Sequence, residues 1–194
     1  MVPIILASTS KYRQKLMCDA GFEVECVAPD FEEIRDSGVH PFVQIGEFAR
    51  GKARSVANHY PESIVIGSDQ GLVLGDELLG KPGTVDAACA QLMHLRGKTA
   101  VLATSLVVIF GSRMLEYQDQ ARLHFRENMS DTAIRRYVEA DLPLDCAGSF
   151  KIESRGVRLF DSIECLDPTA IQGLPMMKLN AMLVELIPEI DLMF

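Results

Sequence analysis

The chain has 194 residues, 48% of them apolar, with 27 acidic against 19 basic residues for a net charge of −8. That much apolar material builds a substantial core in one domain, residues 1–194, and the acidic balance argues against nucleic-acid or membrane partners, so a bound phosphate must meet a local basic pocket. Five scattered cysteines without a CxxC pair suggest neither a disulfide framework nor a zinc site, and the absence of a basic leader or a bilayer-length apolar run makes the expected location cytoplasmic.

In chain order, Val2 to Ala7 is an Ile/Leu-rich run that predicts a buried strand, and Ser8-Thr9-Ser10 supplies N-cap chemistry for a helix ending near Gly21. Phe22 to Val27 alternates as a half-buried strand does, and Pro29 to Pro41 is acidic and irregular. A helix is predicted from Pro41 to His59, with proline at its first position and Pro61 beyond its end. Ser63 to Ser68 predicts an apolar strand delivering Asp69 and Gln70 at its C-terminal end, and Leu72 to Leu79 a hairpin about Gly75-Asp76.

After the Gly80-Lys81-Pro82-Gly83 break, a helix is expected over Val85 to Arg96, closed by Gly97. Thr99 to Phe110 and Met114 to Phe125 read as two long strands joined through Gly111-Ser112. Ser130-Asp131 caps a helix through Ala140, Gly156 to Ile163 suggests a further strand, and Leu174 to Ile187 a closing helix. Strands and helices that alternate early, with antiparallel pairs in the middle, predict a mixed α/β fold: a largely antiparallel, extended, twisted sheet flanked by helices.

Several residues carry possible chemistry. Amide groups at a helix start attract anions, and Arg13 in the first turn can add a bidentate phosphate contact, so the loop with Ser8 and Ser10 is a candidate phosphate cradle as well as a simple cap. Asp69 is a candidate cleft residue, since ligands gather at strand ends in such sheets, or else a turn residue. Asp30, Glu32 and Glu33 offer hard oxygen ligands for Mg²⁺ or Mn²⁺, or an ordinary acidic surface loop. Lys52, Lys81 and Lys151 are candidate cations for phosphates, Lys81 being framed by Gly80 and Pro82-Gly83. The four histidines lack metal-site spacing, no GxSxG, GxxxxGK[ST] or GxGxxG motif is present, and Cys146 reads as a buried thiol.

Taken in order, Leu-Ala-Ser-Thr-Ser (6–10) with Arg13, Ala-Pro-Asp-Phe-Glu-Glu (28–33), Ala-Arg-Gly-Lys-Ala (49–53), Ile-Gly-Ser-Asp-Gln (66–70), Gly-Lys-Pro (80–82), Ala-Gly-Ser-Phe (147–150) and Gly-Leu-Pro (173–175) resemble the Maf, or septum-formation-inhibitor, family across nearly the whole chain. The resemblance implies a nucleoside triphosphate substrate, a divalent cation (Mg²⁺, Mn²⁺ or Co²⁺), a central cleft of the kind seen in inosine-triphosphatase-like folds, and a possible homodimer. Ser-Asp-Gln at 68–70 and Cys-Ala-Gly-Ser-Phe-Lys at 146–151 look like the subgroup that hydrolyses 7-methyl-GTP to the monophosphate and pyrophosphate. By the same resemblance Asp69 is the general base, Glu33 and Asp69 hold the cation, and Ser8, Ser10, Arg13, Lys52 and Lys81 bind the triphosphate. Tyr12, Gln70 and Glu153 match the positions that choose the base. A dTTP/UTP pyrophosphatase and a nucleotide-binding regulator of cell division are the competing readings.

Two positions depart from the family's pattern. Ser105 follows Thr104 where Thr-Gly is usual, and Gly51 replaces the usual acid before Lys52. A glycine inside a helix costs about 0.5–1 kcal/mol relative to alanine, so Gly51 is expected to loosen the helix that aims Lys52.

Overall fold

A computed structural model describes residues 2–187. Among them are seven strands and five α-helices: β1 (Ile4–Leu6), α1 (Lys11–Asp19), β2 (Glu25–Cys26), α2 (Pro41–Ala57), β3 (Ile64–Leu74), β4 (Glu77–Leu79), α3 (Val85–Leu95), β5 (Thr99–Phe110), β6 (Arg113–Phe125), α4 (Asp131–Asp141), β7 (Phe160–Glu164) and α5 (Met176–Leu186). The strands form one mixed sheet in the order β2-β1-β3-β5-β6-β7, with β4 paired to β3. Strand β1 runs parallel to β2 and β3, whereas β3–β4 and β6–β7 are antiparallel. None of the helices among the described residues is long and apolar enough to cross a membrane.

The chain forms two compact units. The first takes residues 1–69, 104–119 and 167–194, the second 70–103 and 120–166. Three of the four changeovers therefore fall inside β3, β5 and β6, and the fourth, between Leu166 and Asp167, follows β7.

In the first unit the two-residue period of the strands sorts side chains between two layers. Leu6, Ile64, Ile66, Leu106 and Val108 share one buried cluster with Met17 of α1 and with Leu179, Met182, Leu183 and Leu186 of α5. Their neighbours in sequence turn the other way: Ile5 and Val65 pack with Val56 of α2, and Val107 packs with Ala49 and Ala53 of the same helix. Burial on both faces is why these strands read as continuous apolar runs. In the second unit α3 packs on α4, and Phe125, Phe150 and Phe160 form an aromatic cluster, the Phe125 and Phe160 ring centroids lying 4.7 Å apart.

Local sequence signals set most boundaries. Ser10 caps α1 by accepting from the Arg13 amide, Thr84 caps α3 and Ser130 caps α4 in the same way, and Pro41 opens α2. The hairpin at Gly75-Asp76 pairs Leu72 with Leu79. Three predicted strands differ. Only Glu25 and Cys26 of the expected Phe22–Val27 strand form β2, and Phe22 and Val24 pack against the α1/α5 cluster. The expected Gly156–Ile163 strand is a 3₁₀ turn over Arg155–Leu159 followed by β7. There the Gly156 amide donates to the Lys151 carbonyl, and a Cβ on Gly156 would lie 2.3 Å from that oxygen. The third is β3, which does not end at Ser68 but continues to Leu74, so Asp69 and Gln70 lie within a strand and not after one.

Candidate active site

The first unit brings together six of the residues singled out by sequence. Ser8, 5% exposed, closes the turn between β1 and α1, its Oγ accepting from the Ser10 amide (3.1 Å) and from Nη1 of Arg13 (3.3 Å). Arg13 is pinned at its other edge, where Nε donates to the carbonyl of Gly173 (2.8 Å). That carbonyl also accepts from Ser68 Oγ at 2.8 Å. Gly173 is left-handed with φ +105°, and a Cβ there would come within 3.2 Å of Arg13 Nε, so a side chain at 173 would crowd the guanidinium.

A close approach of α2 to β3 makes the second half of this site. A Cβ on Gly67 would lie 2.6 Å from the Ala49 carbonyl oxygen and 2.7 Å from Ala53 Cβ, so glycine and two alanines let helix and strand touch. Asp69, two residues on, faces the same way as Gly67. Lys52 of α2 reaches it, Nζ standing 2.5 Å from Asp69 Oδ1 and 2.5 Å from Glu33 Oε1. The two carboxylate oxygens are therefore no more than about 5 Å apart, twice the ion-pair distance. Asp69 is 8% exposed. Burial is the strongest influence on its carboxyl and raises the pKa above the ordinary value; Lys52 and Arg13 oppose that shift and Glu33 adds to it. Burial likewise lowers the pKa of Arg13, against the pull of Asp69 and Glu33. Arg13 thus sits in the field of both acids.

Tyr12 is half-buried on α1 beside Arg13. The other predicted site residues belong to the second unit. Gln70 is half-buried in β3, Lys81 is exposed in the loop before α3, and Glu153 is exposed in the turn that precedes the 3₁₀ segment. A residue not anticipated from sequence ties these motifs together. Gln91 of α3 donates to the Gly80 carbonyl (3.0 Å), and Ser149 Oγ donates to Gln91 Oε1 (2.5 Å). Gly-Lys-Pro and Ala-Gly-Ser-Phe, remote in sequence, are thereby held by one side chain. Ser68, Gly173 and Gln91 act through partners distant in sequence, so no local pattern marks them beyond the motifs that contain two of them.

Lys151 is no free phosphate cation. Its ammonium donates to the Asp141 carbonyl at the end of α4 (2.9 Å), and its amide donates to Tyr137 Oη (3.0 Å). Cys146 is half-buried and not buried. Both departures from the family's pattern have a structural partner. Ser105 is 2% exposed and its Oγ accepts from Gln118 Nε2 at 2.8 Å. Gly51 receives a ring: a Cβ there would lie 2.2 Å from Cε2 of Phe31, so the glycine makes room for a packed aromatic.

Among the described residues no group of three or more His, Cys, Asp or Glu is placed to hold a metal ion. The pair Glu33 and Asp69 nevertheless suits one kind of cation. Mg²⁺ and its relatives are bound by one or two carboxylates plus substrate phosphates and water, without an all-protein cage, and here two carboxylates already converge on a single positive charge.

A serine-rich turn at a helix start, a buried acid against a lysine, and a mixed sheet carrying both are the arrangement of an α/β protein whose helix starts and strand ends suit phosphate groups. The chain belongs to the Maf family, whose Maf-like protein profile matches residues 3–186. A 7-methyl-GTP pyrophosphatase of Pseudomonas aeruginosa is 41% identical over 187 residues, 95% of this chain and 97% of the relative. The protein of that name from Bdellovibrio bacteriovorus is 41% identical over 93% of this chain and 95% of its own length, and that from Aromatoleum aromaticum is 42% identical over 93% of each. The solved structure of the Staphylococcus aureus Ham1 protein, at 16% identity and a TM-score of 0.48 over 66% of this chain and 74% of that one, is too slight a likeness to argue from.

Proposed function

We propose that the protein is a nucleoside triphosphate pyrophosphatase that hydrolyses 7-methyl-GTP to 7-methyl-GMP and pyrophosphate. The observation that carries this reading is the convergence of Glu33 and Asp69 on Lys52 beside a pinned Arg13, in a chain about 41% identical to enzymes so named over more than nine-tenths of its length. In the reaction a water oxygen bonds to the α-phosphorus, its proton passes to the Asp69 carboxylate, and the bond from the α-phosphorus to the bridging oxygen breaks to release pyrophosphate. Burial that raises the Asp69 pKa makes it a better proton acceptor than a solvated aspartate. Arg13, Lys52 and Lys81 offset the charge that develops on the departing pyrophosphate, and Ser8 and Ser10 hold the turn that receives a phosphate. Glu33 with Asp69 would hold a Mg²⁺, Mn²⁺ or Co²⁺ ion, which supplies polarisation of the phosphoryl oxygens when bound.

Base choice falls to Tyr12, Gln70 and Glu153. Methylation at N7 places positive charge on the guanine ring, which favours stacking on an aromatic face such as Tyr12, and a carboxylate such as Glu153 accepts from the guanine N–H edge. The enzyme acts in the cytoplasm as a homodimer on this reading, and residues 1–194 form one functional domain. Pyrophosphate release from 7-methyl-GTP, GTP, dTTP, UTP and CTP, each with Mg²⁺, Mn²⁺ or Co²⁺, tests it beside an Asp69→Asn control. A preference for 7-methyl-GTP that the control abolishes is the expected result. A pyrimidine preference would overturn the roles of Tyr12, Gln70 and Glu153, and no release from any nucleotide would overturn the enzyme reading itself.

A further inference from the structure

Residues 27–40 have no regular secondary structure, yet they carry Glu33, whose carboxylate must be delivered to Lys52. One face of α2 holds this segment at two places. Gln44, Phe48, Gly51 and Lys52 stand at i, i+4, i+7 and i+8 and therefore share that face. At one end Gln44, 6% exposed, accepts from the Asp36 amide (3.0 Å) and donates to the Val39 carbonyl (2.7 Å). At the other, the Phe31 ring lies 6.4 Å from the Phe48 ring and tilted to it. The ring also fills the place where a side chain at position 51 would begin: a Cβ there would meet Cε2, Cζ and Cδ2 at 2.2, 2.4 and 2.5 Å. Glu33 follows two residues later, and Lys52 follows Gly51 directly.

We infer that Gly51 is a steric notch that seats Phe31 and, through it, sets the position of Glu33; both are positioning residues, and their effect on catalysis rests on the pyrophosphatase reading above. The seat is a matched pair. Any side chain at 51 must displace the ring, and because the ring is 36% exposed it can swing outward, taking the backbone that leads to Glu33 with it. Removing the ring takes away the three atoms that a methyl group at 51 would meet first. The two positions are therefore coupled in a way that a helix-propensity effect of glycine is not, since alanine alone would be expected to strengthen α2.

Gly51→Ala, Phe31→Ala and the double variant form the test, read by kcat and KM for nucleotide and, independently of any activity, by amide hydrogen exchange of residues 28–36 and of α2 in the resting protein. Gly51→Ala is expected to lower kcat tenfold or more with less than a twofold change in KM, and to speed exchange over 28–36 while α2 keeps its protection. In the Phe31→Ala background the added alanine is expected to change kcat and loop exchange less than twofold. Wild-type exchange and kcat in Gly51→Ala, or single effects that multiply in the double variant, would overturn the notch. Should the wild-type protein release no pyrophosphate, the activity reading fails while the exchange measurements still decide whether Gly51 seats the loop.

Discussion

At the scale of the residue, Asp69 shows stability and function opposed. Its carboxyl is 8% exposed, and burial raises its pKa despite Lys52 and Arg13. The folded chain therefore holds this proton more tightly than the unfolded chain. The contribution of Asp69 to stability is accordingly full below the ordinary carboxylate range, near ~3.9, and is lost as pH rises through the folded-state pKa. At neutral pH an uncharged side chain of the same shape should be tolerated by the fold. Asp69→Asn is expected to lower kcat on the order of 10²–10⁴-fold, as removal of a general base does, while thermal unfolding shows a midpoint no lower than wild type. In the metal-free protein the Asp69 carboxyl should titrate above the ordinary carboxylate range, which an NMR titration checks. Lys52→Met removes the first of the influences that lower the Asp69 pKa, so the same metal-free titration should move to higher pH.

Elements matter through the distances they impose. Strand β3 and helix α2 approach closely only because Gly67 faces Ala49 and Ala53, and Lys52 meets Asp69 as a consequence. Gly67→Ala forces a methyl group against the Ala49 carbonyl oxygen, and overpacking of that kind costs about 1–3 kcal/mol. Denaturant unfolding should register the loss, and kcat should fall with it as α2 is pushed off the strand. Helix α3 plays the corresponding part in the second unit, where Gln91 joins the Gly80 carbonyl to the Ser149 hydroxyl. Gln91→Ala leaves both groups without that partner, at about 1–3 kcal/mol. Because it frees the loop that carries Lys81, steady-state kinetics should show a raised KM for nucleotide as well as a lowered kcat.

For the whole molecule, three of the four changeovers between the two compact units fall inside β3, β5 and β6, and the fourth falls in the loop after β7. Each of those strands is a continuous piece of one sheet, so a single cooperative calorimetric transition is expected, with van't Hoff and calorimetric enthalpies in agreement. Two resolved transitions would instead show that the units unfold separately. On the pyrophosphatase reading, a non-hydrolysable 7-methyl-GTP analogue with Mg²⁺ at 100 times its dissociation constant should stabilise the protein by about 2.7 kcal/mol, and the Asp69→Asn protein should retain part of that shift while losing turnover.

The sequence by itself determined the elements whose signals are local. Serine and threonine caps, Pro41 at a helix start, the Gly75-Asp76 hairpin and the two long strands about Gly111-Ser112 fall where expected, because capping and turn chemistry act within a few residues. The family-like motifs also marked Ser8, Arg13, Glu33, Lys52 and Asp69, which the fold then brings together. Tertiary structure decided the rest. Whether β3 stops at Ser68 or runs to Leu74 depends on a pairing partner, β4, and not on the apolar run alone. Phe22 and Val24 pack against the cluster of α1 and α5 while only Glu25 and Cys26 pair with β1. Gly51 looked like a weak point by helix propensity, and the structure makes it the seat of Phe31. Gln91, Ser68 and Gly173 owe their roles to hydrogen bonds across 58 to 160 residues, and contacts of that span leave no periodic trace in a sequence, since burial and pairing are settled only when the whole core assembles.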